Sequence, residues 1–241
     1  MTQFARRALQ ITPALGVLAF WAGILTAARQ YPSEYDWRYM TLSSLLYPER
    51  NPAGHLWASA GIVLCGCCGL CWAGALARIA ARRGAPAPRT GIRALRLGYI
   101  CMVCCALLPE RLLPIRNGHE ILALAAFFGL CLGMVQLTFQ AVERRPVGRP
   151  ERAGYGRRLY AGALAGAALI PVLLAGAVQA YVSYALPDLP WVSLAWRARS
   201  VPVYLSFALW QWLTCVVFSA YMLLLSQATL ARTLPAARGA A

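Results

Sequence analysis

"GHLWASAGIVLCGCCGLCWAGALA", residues 54–77, decides the fold. It runs 24 residues without an Asp, Glu, Lys or Arg. At a helical rise of 1.5 Å per residue that is about 36 Å, enough to cross a hydrocarbon core roughly 30 Å thick. Similar runs recur at about 11–28, 97–114, 119–142, 159–186 and 201–230. Charged residues make up 13% of the chain, about half the share of roughly 25% in a soluble domain. The sequence therefore predicts an all-α fold: one integral membrane domain over residues 1–241, a bundle of six transmembrane helices. The basic, apolar N-terminus resembles a signal peptide, but the length of the run and the five that follow favour an uncleaved first helix.

Arginine placement orients the bundle. All 23 basic residues are arginine, and sixteen lie in the N-terminus, in 78–96, in 143–158 and in the C-terminal tail. Positive loops stay cytoplasmic, so both termini are expected inside a bacterial inner membrane, as a multi-pass protein. The net charge of +15 thus serves orientation, and nucleic acid is not the expected partner; membrane lipids are. Six of the eight acidic residues fall on the opposite, outer side: Glu34, Asp36, Glu49, Glu110, Glu120 and Asp188.

The first outer loop concentrates polar chemistry in "DWRYMTLSSLLYPERNPAGHLW", residues 36–57. Part of that is expected from helix starts. Ser33 and Asp36 have capping-box spacing for a short interfacial helix, and Asn117 and Glu120 repeat it at the fourth span. Asn51-Pro52 reads as the N-cap and first position of the second span. Tyr31, Tyr35, Trp37, Tyr39 and Tyr47 are expected in a headgroup belt. Within the spans, Pro171 should kink the fifth and Pro202 should open the sixth. Gly129/Gly133 and Gly162/Gly166 are GxxxG pairs, and Gly16 and Gly23 lie two turns apart, which favours close packing within one chain. Gln136, Gln140, Gln179 and Gln211 are expected to bond between helices.

The remaining outer-face residues are the candidate site. His55 and His119 each open a span, and Glu110 and Glu120 stand near them. As catalytic candidates these four suit a membrane-embedded lipid hydrolase or transferase. Two imidazoles with a carboxylate could also hold zinc with an open position for water, yet no HxxxH or HExxH spacing accompanies them, and no metal site or cofactor is assigned. Asp36, Arg38, Ser43, Asn51, Arg111 and Arg116 are the ligand-binding candidates. Arginines near helix N-termini suit a phosphate or carboxylate. The leading expectation is binding of an anionic lipid or envelope component at the outer face. The alternatives are the hydrolase or transferase and an accessory subunit of a membrane complex. Carboxylates pairing with those arginines to tie the outer loops together is the structural reading of the same residues. All nine cysteines lie in apolar runs and are read as small packing groups rather than metal or disulfide partners.

Two stretches resemble a known family. "TLSSLLYPERNPAGHLWASAG" is similar to the pattern that ends the first outer loop of the DUF998 family, bacterial six-helix membrane proteins of unknown function, with Ser43, Asn51 and Pro52 on the matching positions. "LLPERLLPIRNGHEILALAAFFG" is similar to its second signature, a Pro-x-Asp element before a His that opens the fourth helix; Pro109 and His119 match, and Arg111 stands in place of the Asp beside Glu110. The resemblance implies the six-helix topology and lends no chemistry. A looser likeness is to Frag1/DRAM-type proteins, which also place polar residues after the first helix.

Overall fold

The computed structural model describes residues 3–82, 89–108, 118–143, 195–198 and 200–231, with isolated helical positions between 170 and 185. Every regular element among them is helical. In chain order these are α1 (Gln3–Arg29), α2 (Ser43–Leu46), α3 (His55–Arg82), α4 (Arg89–Leu107), α5 (Gly118–Glu143), α6 (Ala195–Ala198), a 3-10 turn (Val203–Leu205) and α7 (Phe207–Ala231). Five of them, α1, α3, α4, α5 and α7, are long and apolar enough to cross a membrane. In the expected fifth span, Ile170, Leu173, Leu174 and Tyr181 are helical and expose their side chains, at spacings that share one helix face. The rest of 159–186, with Pro171 and the Gly162/Gly166 pair, lies outside the described residues.

Three boundaries move from their expected places. α4 begins at Arg89 rather than near 97, because Arg93 and Arg96 are carried on the end of the helix rather than in a loop. Apolar periodicity alone counts such arginines as loop. α3 likewise continues to Arg82. Pro202 does not open the last span: it caps the 3-10 turn, and α7 starts at Phe207.

Small residues set the packing. α1 lies along α3, α3 along α4, and α4 along α5. Between α4 and α5, a β-carbon added at Gly129 would stand 2.8 Å from Gly98 Cα, and one at Gly98 would meet Leu130 N at 2.7 Å. The backbones touch there as they do at small-residue contacts in lipid. Gly23 plays the same part between α1 and α3, where a β-carbon would meet Trp57 O at 2.5 Å. The expected intrachain role of these glycines is thus what the packing shows.

Two buried clusters fill the bundle. One, toward the α3 C-terminus, gathers Leu9, Trp72, Leu95, Tyr99, Met134 and Met222. Hydrogen bonds cross it between helices: Trp72 Nε1 donates to Ser226 Oγ at 2.7 Å, and Tyr221 Oη donates to Met134 O at 2.6 Å. The other, toward the α3 N-terminus, gathers Phe20, Ile24, Leu42, Leu45, Ile62 and Trp212. Leu42 and Leu45 belong to the loop between α1 and α3. That loop therefore turns back into the bundle and contributes to its core.

Candidate functional site: an apolar cavity under the loop between α1 and α3

Asn51 is the pivot of the loop. It is fully buried. Its Nδ2 donates to Ala27 O at 3.0 Å, at the end of α1, and to Leu45 O at 3.4 Å in α2, while its Oδ1 accepts Gly54 N–H at 3.1 Å. Asn51 O accepts His55 N–H at 3.0 Å, so the helical bonding of α3 starts at Asn51. The N-cap reading holds, and the same side chain also ties α1 to α2.

The capping box expected at Ser33 and Asp36 does not form. The Asp36 carboxylate accepts Arg38 N–H at 3.1 Å and the Arg38 guanidinium at 2.8 and 3.0 Å. Committed to that fork, it closes a turn at 36–40, with Tyr39 and Met40 N–H groups donating to Asp36 O. The loop helix is Ser43–Leu46 instead. Tyr35 and Tyr39 leave the expected headgroup belt. Tyr35 Oη bonds the Met40 and Thr41 carbonyls, and Tyr39 Oη donates to Val201 O at 2.8 Å, while Trp37 stays exposed. Both phenols are engaged by backbone carbonyls, Tyr35 within the loop and Tyr39 across to the segment before α7. Burial raises the Tyr35 pKa, which keeps its hydroxyl a donor.

Arg197, which the sequence did not single out, completes this layer. Its Nη1 lies 3.4 Å from Asp36 Oδ2 and 3.6 Å from Glu34 Oε2. The Arg38 guanidinium hydrogen-bonded to it holds the Asp36 carboxyl below its ordinary range, with Arg197 adding to the effect. Asp36 and Arg38 are therefore an ion pair that braces the loop. The reading of acid–arginine pairs as loop ties applies here.

Beneath the loop is a cavity of about 120 Å3. Its wall along α5 runs from His119 to Met134, a rise of about 22 Å at 1.5 Å per residue. Apolar side chains from α1, α3, α4, α5 and α7 line it, among them Phe20, Ile62, Phe127, Leu130 and Phe218. Ser43, Cys105, His119 and Gln211 line it toward the loop, and Ser219 lines it deeper along α7. Ser43 Oγ and Thr41 Oγ1 are 2.8 Å apart, and Gln211 Oε1 accepts Leu42 N–H at 3.0 Å. Gln211 thus bonds to the loop rather than to another helix, and among the described residues Gln136 Oε1 has no hydrogen-bond partner. Gln140 and Gln179 side chains lie outside the described residues.

The two histidines part company. His119 is buried in the cavity wall. Cys105 Sγ lies 3.5 Å from its Nδ1, 3.6 Å from its Nε2 and 3.8 Å from its carbonyl oxygen. The Tyr47 ring sits 5.4 Å from the His119 ring, and the Arg50 guanidinium sits 5.4 Å over the Tyr47 ring. His55 is not part of this wall. Its Nδ1–H donates to Asn51 O at 3.2 Å and Pro52 O at 3.1 Å, which makes it a first-turn brace. Of the sequence candidates, Ser43 and His119 share the cavity wall, Asp36 and Arg38 share the brace, and Asn51 ties α2 to the end of α1. Glu110, Arg111 and Arg116 lie outside the described residues, as does the Glu120 side chain. Among the described residues no three His, Cys, Asp or Glu side chains come together to hold a metal ion. Cys105 was read only as a packing group, because a cysteine in an apolar run carries no pattern of its own.

Neither a curated protein nor a solved structure matches the chain. The family whose description is "Protein of unknown function (DUF998)" matches residues 14–228. With five apolar helices of spanning length and that match over most of its length, the chain is a helical membrane protein and belongs to the DUF998 family.

Proposed function

We propose that the protein binds an anionic membrane lipid, with an acyl chain in the cavity and the headgroup at its outer end. The observation that carries this reading is the make-up of the cavity wall: mostly apolar along its length, with Ser43, Cys105, His119 and Gln211 on the wall near the loop, while the deeper Ser219 hydroxyl is engaged by Trp21 Nε1 and the Cys215 carbonyl. An apolar cavity takes apolar ligands and stays dry. In a bilayer the abundant apolar ligand is a lipid tail. The rise of about 22 Å along α5 exceeds the roughly 15 Å depth of one leaflet's hydrocarbon, so the shaft is long enough for a chain.

Arg50 supports the anionic part. Among the described residues it makes no ion pair, whereas Arg38 and Arg197 are both matched to carboxylates. Its charge stands over Tyr47, one ring away from His119. The excess of arginine on the opposite side supports placing this end outside, in the periplasmic leaflet of a bacterial inner membrane with both termini in the cytoplasm.

Photocrosslinking tests the reading. Phosphatidylglycerol carrying a diazirine in its acyl chain, reconstituted with the protein, should label the cavity face of α5 at Ala123, Ala126 and Phe127. General lipid contact would instead label the exposed Leu124, Phe128 and Leu132. Labels confined to those exposed residues would refute it.

A further inference from the structure

We propose that Cys105 and His119 form a thiol–imidazole pair that takes an acyl group from a lipid ester bound in the cavity, an activity that rests on the lipid-binding reading above. Three observations converge on it. The thiol lies 3.5 Å from an imidazole nitrogen, within hydrogen-bonding reach for sulfur. Both side chains line the cavity. Both stand at its polar end, two residues before the close of α4 and at the second residue of α5.

Position is the telling part. In a glycerolipid the ester carbonyl sits at the junction of polar head and apolar tail. In this cavity the junction of polar and apolar wall is where Cys105 stands. A chain running along α5 toward Met134 brings its own carbonyl to the sulfur. The thiolate is the nucleophile, and an adjacent base generates it. Tyr47 packs against the His119 ring from the loop side and fixes the plane in which that base acts.

The step balances without a further reactant. His119 takes the Cys105 proton as sulfur attacks the ester carbonyl. The carbonyl carbon–oxygen bond to glycerol breaks, and the imidazolium returns the proton to the departing glycerol oxygen. The products are an acyl thioester on Cys105 and a lysolipid with a free hydroxyl. Ser43 and Gln211 also line that wall, and Gln211 has its oxygen engaged by Leu42 N–H.

Full-length protein in vesicles of phosphatidylglycerol with alkyne-tagged acyl chains tests this. Peptide mass spectrometry should find the tagged acyl on Cys105, removable by neutral hydroxylamine as a thioester is. Cys105→Ala should abolish it. His119→Asn should slow its appearance about 100-fold or more, the range expected for loss of a general base. Cys67→Ala, which removes an exposed thiol outside the cavity wall, should leave labelling unchanged. A wild-type protein without the adduct, an adduct that persists in Cys105→Ala, or equal rates with and without His119 would overturn the proposal. The Cys105→Ala protein separates the two readings. If it crosslinks lipid in the cavity while wild type forms no thioester, acyl transfer fails and binding stands; if neither protein crosslinks, both fail.

Discussion

Arg197 Nη1 lies 3.4 Å from Asp36 Oδ2, on the face of the carboxylate that Arg38 also holds. One carboxylate thus joins the loop between α1 and α3 to the segment before α7. Tyr39, donating to Val201 O, adds a second tie between the same two segments. The loop that roofs the cavity is fastened at its rim, and the fastening is ionic.

That fastening should release in acid. The folded-state pKa of Asp36 is depressed, so its contribution is fully present above the ordinary carboxylate range and is lost as pH falls through the lowered value. Hydrogen exchange of residues 36–46 should be slow at neutral pH and rise once Asp36 protonates. Asp36→Asn should exchange fast at every pH. Because Arg197 is half exposed, Arg197→Ala should loosen the loop modestly, as exposed pairs do. Unchanged protection of 36–46 in acid would contradict this account.

Asn51→Ala should be the costliest polar substitution in the loop. It strands the Ala27 carbonyl and the Gly54 N–H in a fully buried site. Leaving a buried group unpaired costs about 1–3 kcal/mol, so a drop of several degrees in detergent Tm is expected. Asn51→Asp keeps the acceptor for Gly54 but loses the donor to Ala27, and should fall between. A Tm unchanged by Asn51→Ala would show that the bonds contribute little.

Gly98→Val should separate α4 from α5. Its β-carbon alone would stand 2.7 Å from Leu130 N, and that neighbour is backbone, which cannot rotate aside. Overpacking typically costs about 1–3 kcal/mol, and a backbone clash belongs at the top of that range. Leu132→Ala, on the exposed face of the partner helix, should leave Tm within about a degree, since surface changes stay within roughly ±0.5 kcal/mol. Similar Tm values for the two variants would contradict the packing.

Arg50→Gln should relax headgroup preference. An arginine near an anionic membrane surface contributes about 1 kcal/mol, so the ratio of phosphatidylglycerol to phosphatidylcholine bound should fall about fivefold. Arg38→Gln should change that ratio less, because Asp36 already offsets its charge. Equal effects of the two substitutions would mean that ion pairing does not distinguish them.

Much of the architecture is legible in the sequence because the bilayer dictates it. A 24-residue run without charge has one stable outcome, and the glycines at 129 and 133 announce a helix contact before its partner is known. The N-cap at Asn51 is legible for a similar reason: the pattern is local. What stays hidden depends on distant pairs. Nothing near Cys105 says that His119 will face it, and nothing near Asp36 says that Arg197 will reach it. His55 and His119 look equivalent as first-turn histidines, yet one donates to its own turn and the other lines the cavity. The tyrosines mislead because a belt at the interface and a lock between loops use the same side chain.

Lipid occupancy of the isolated protein is the most direct measure of the central claim. Native mass spectrometry of protein released from phosphatidylglycerol-containing bilayers should show a species carrying one lipid per chain. Ala123→Phe, which puts a ring into the cavity beside His119, should remove most of that species while leaving Tm intact. Equal occupancy in the two proteins, or none in either, would contradict the account.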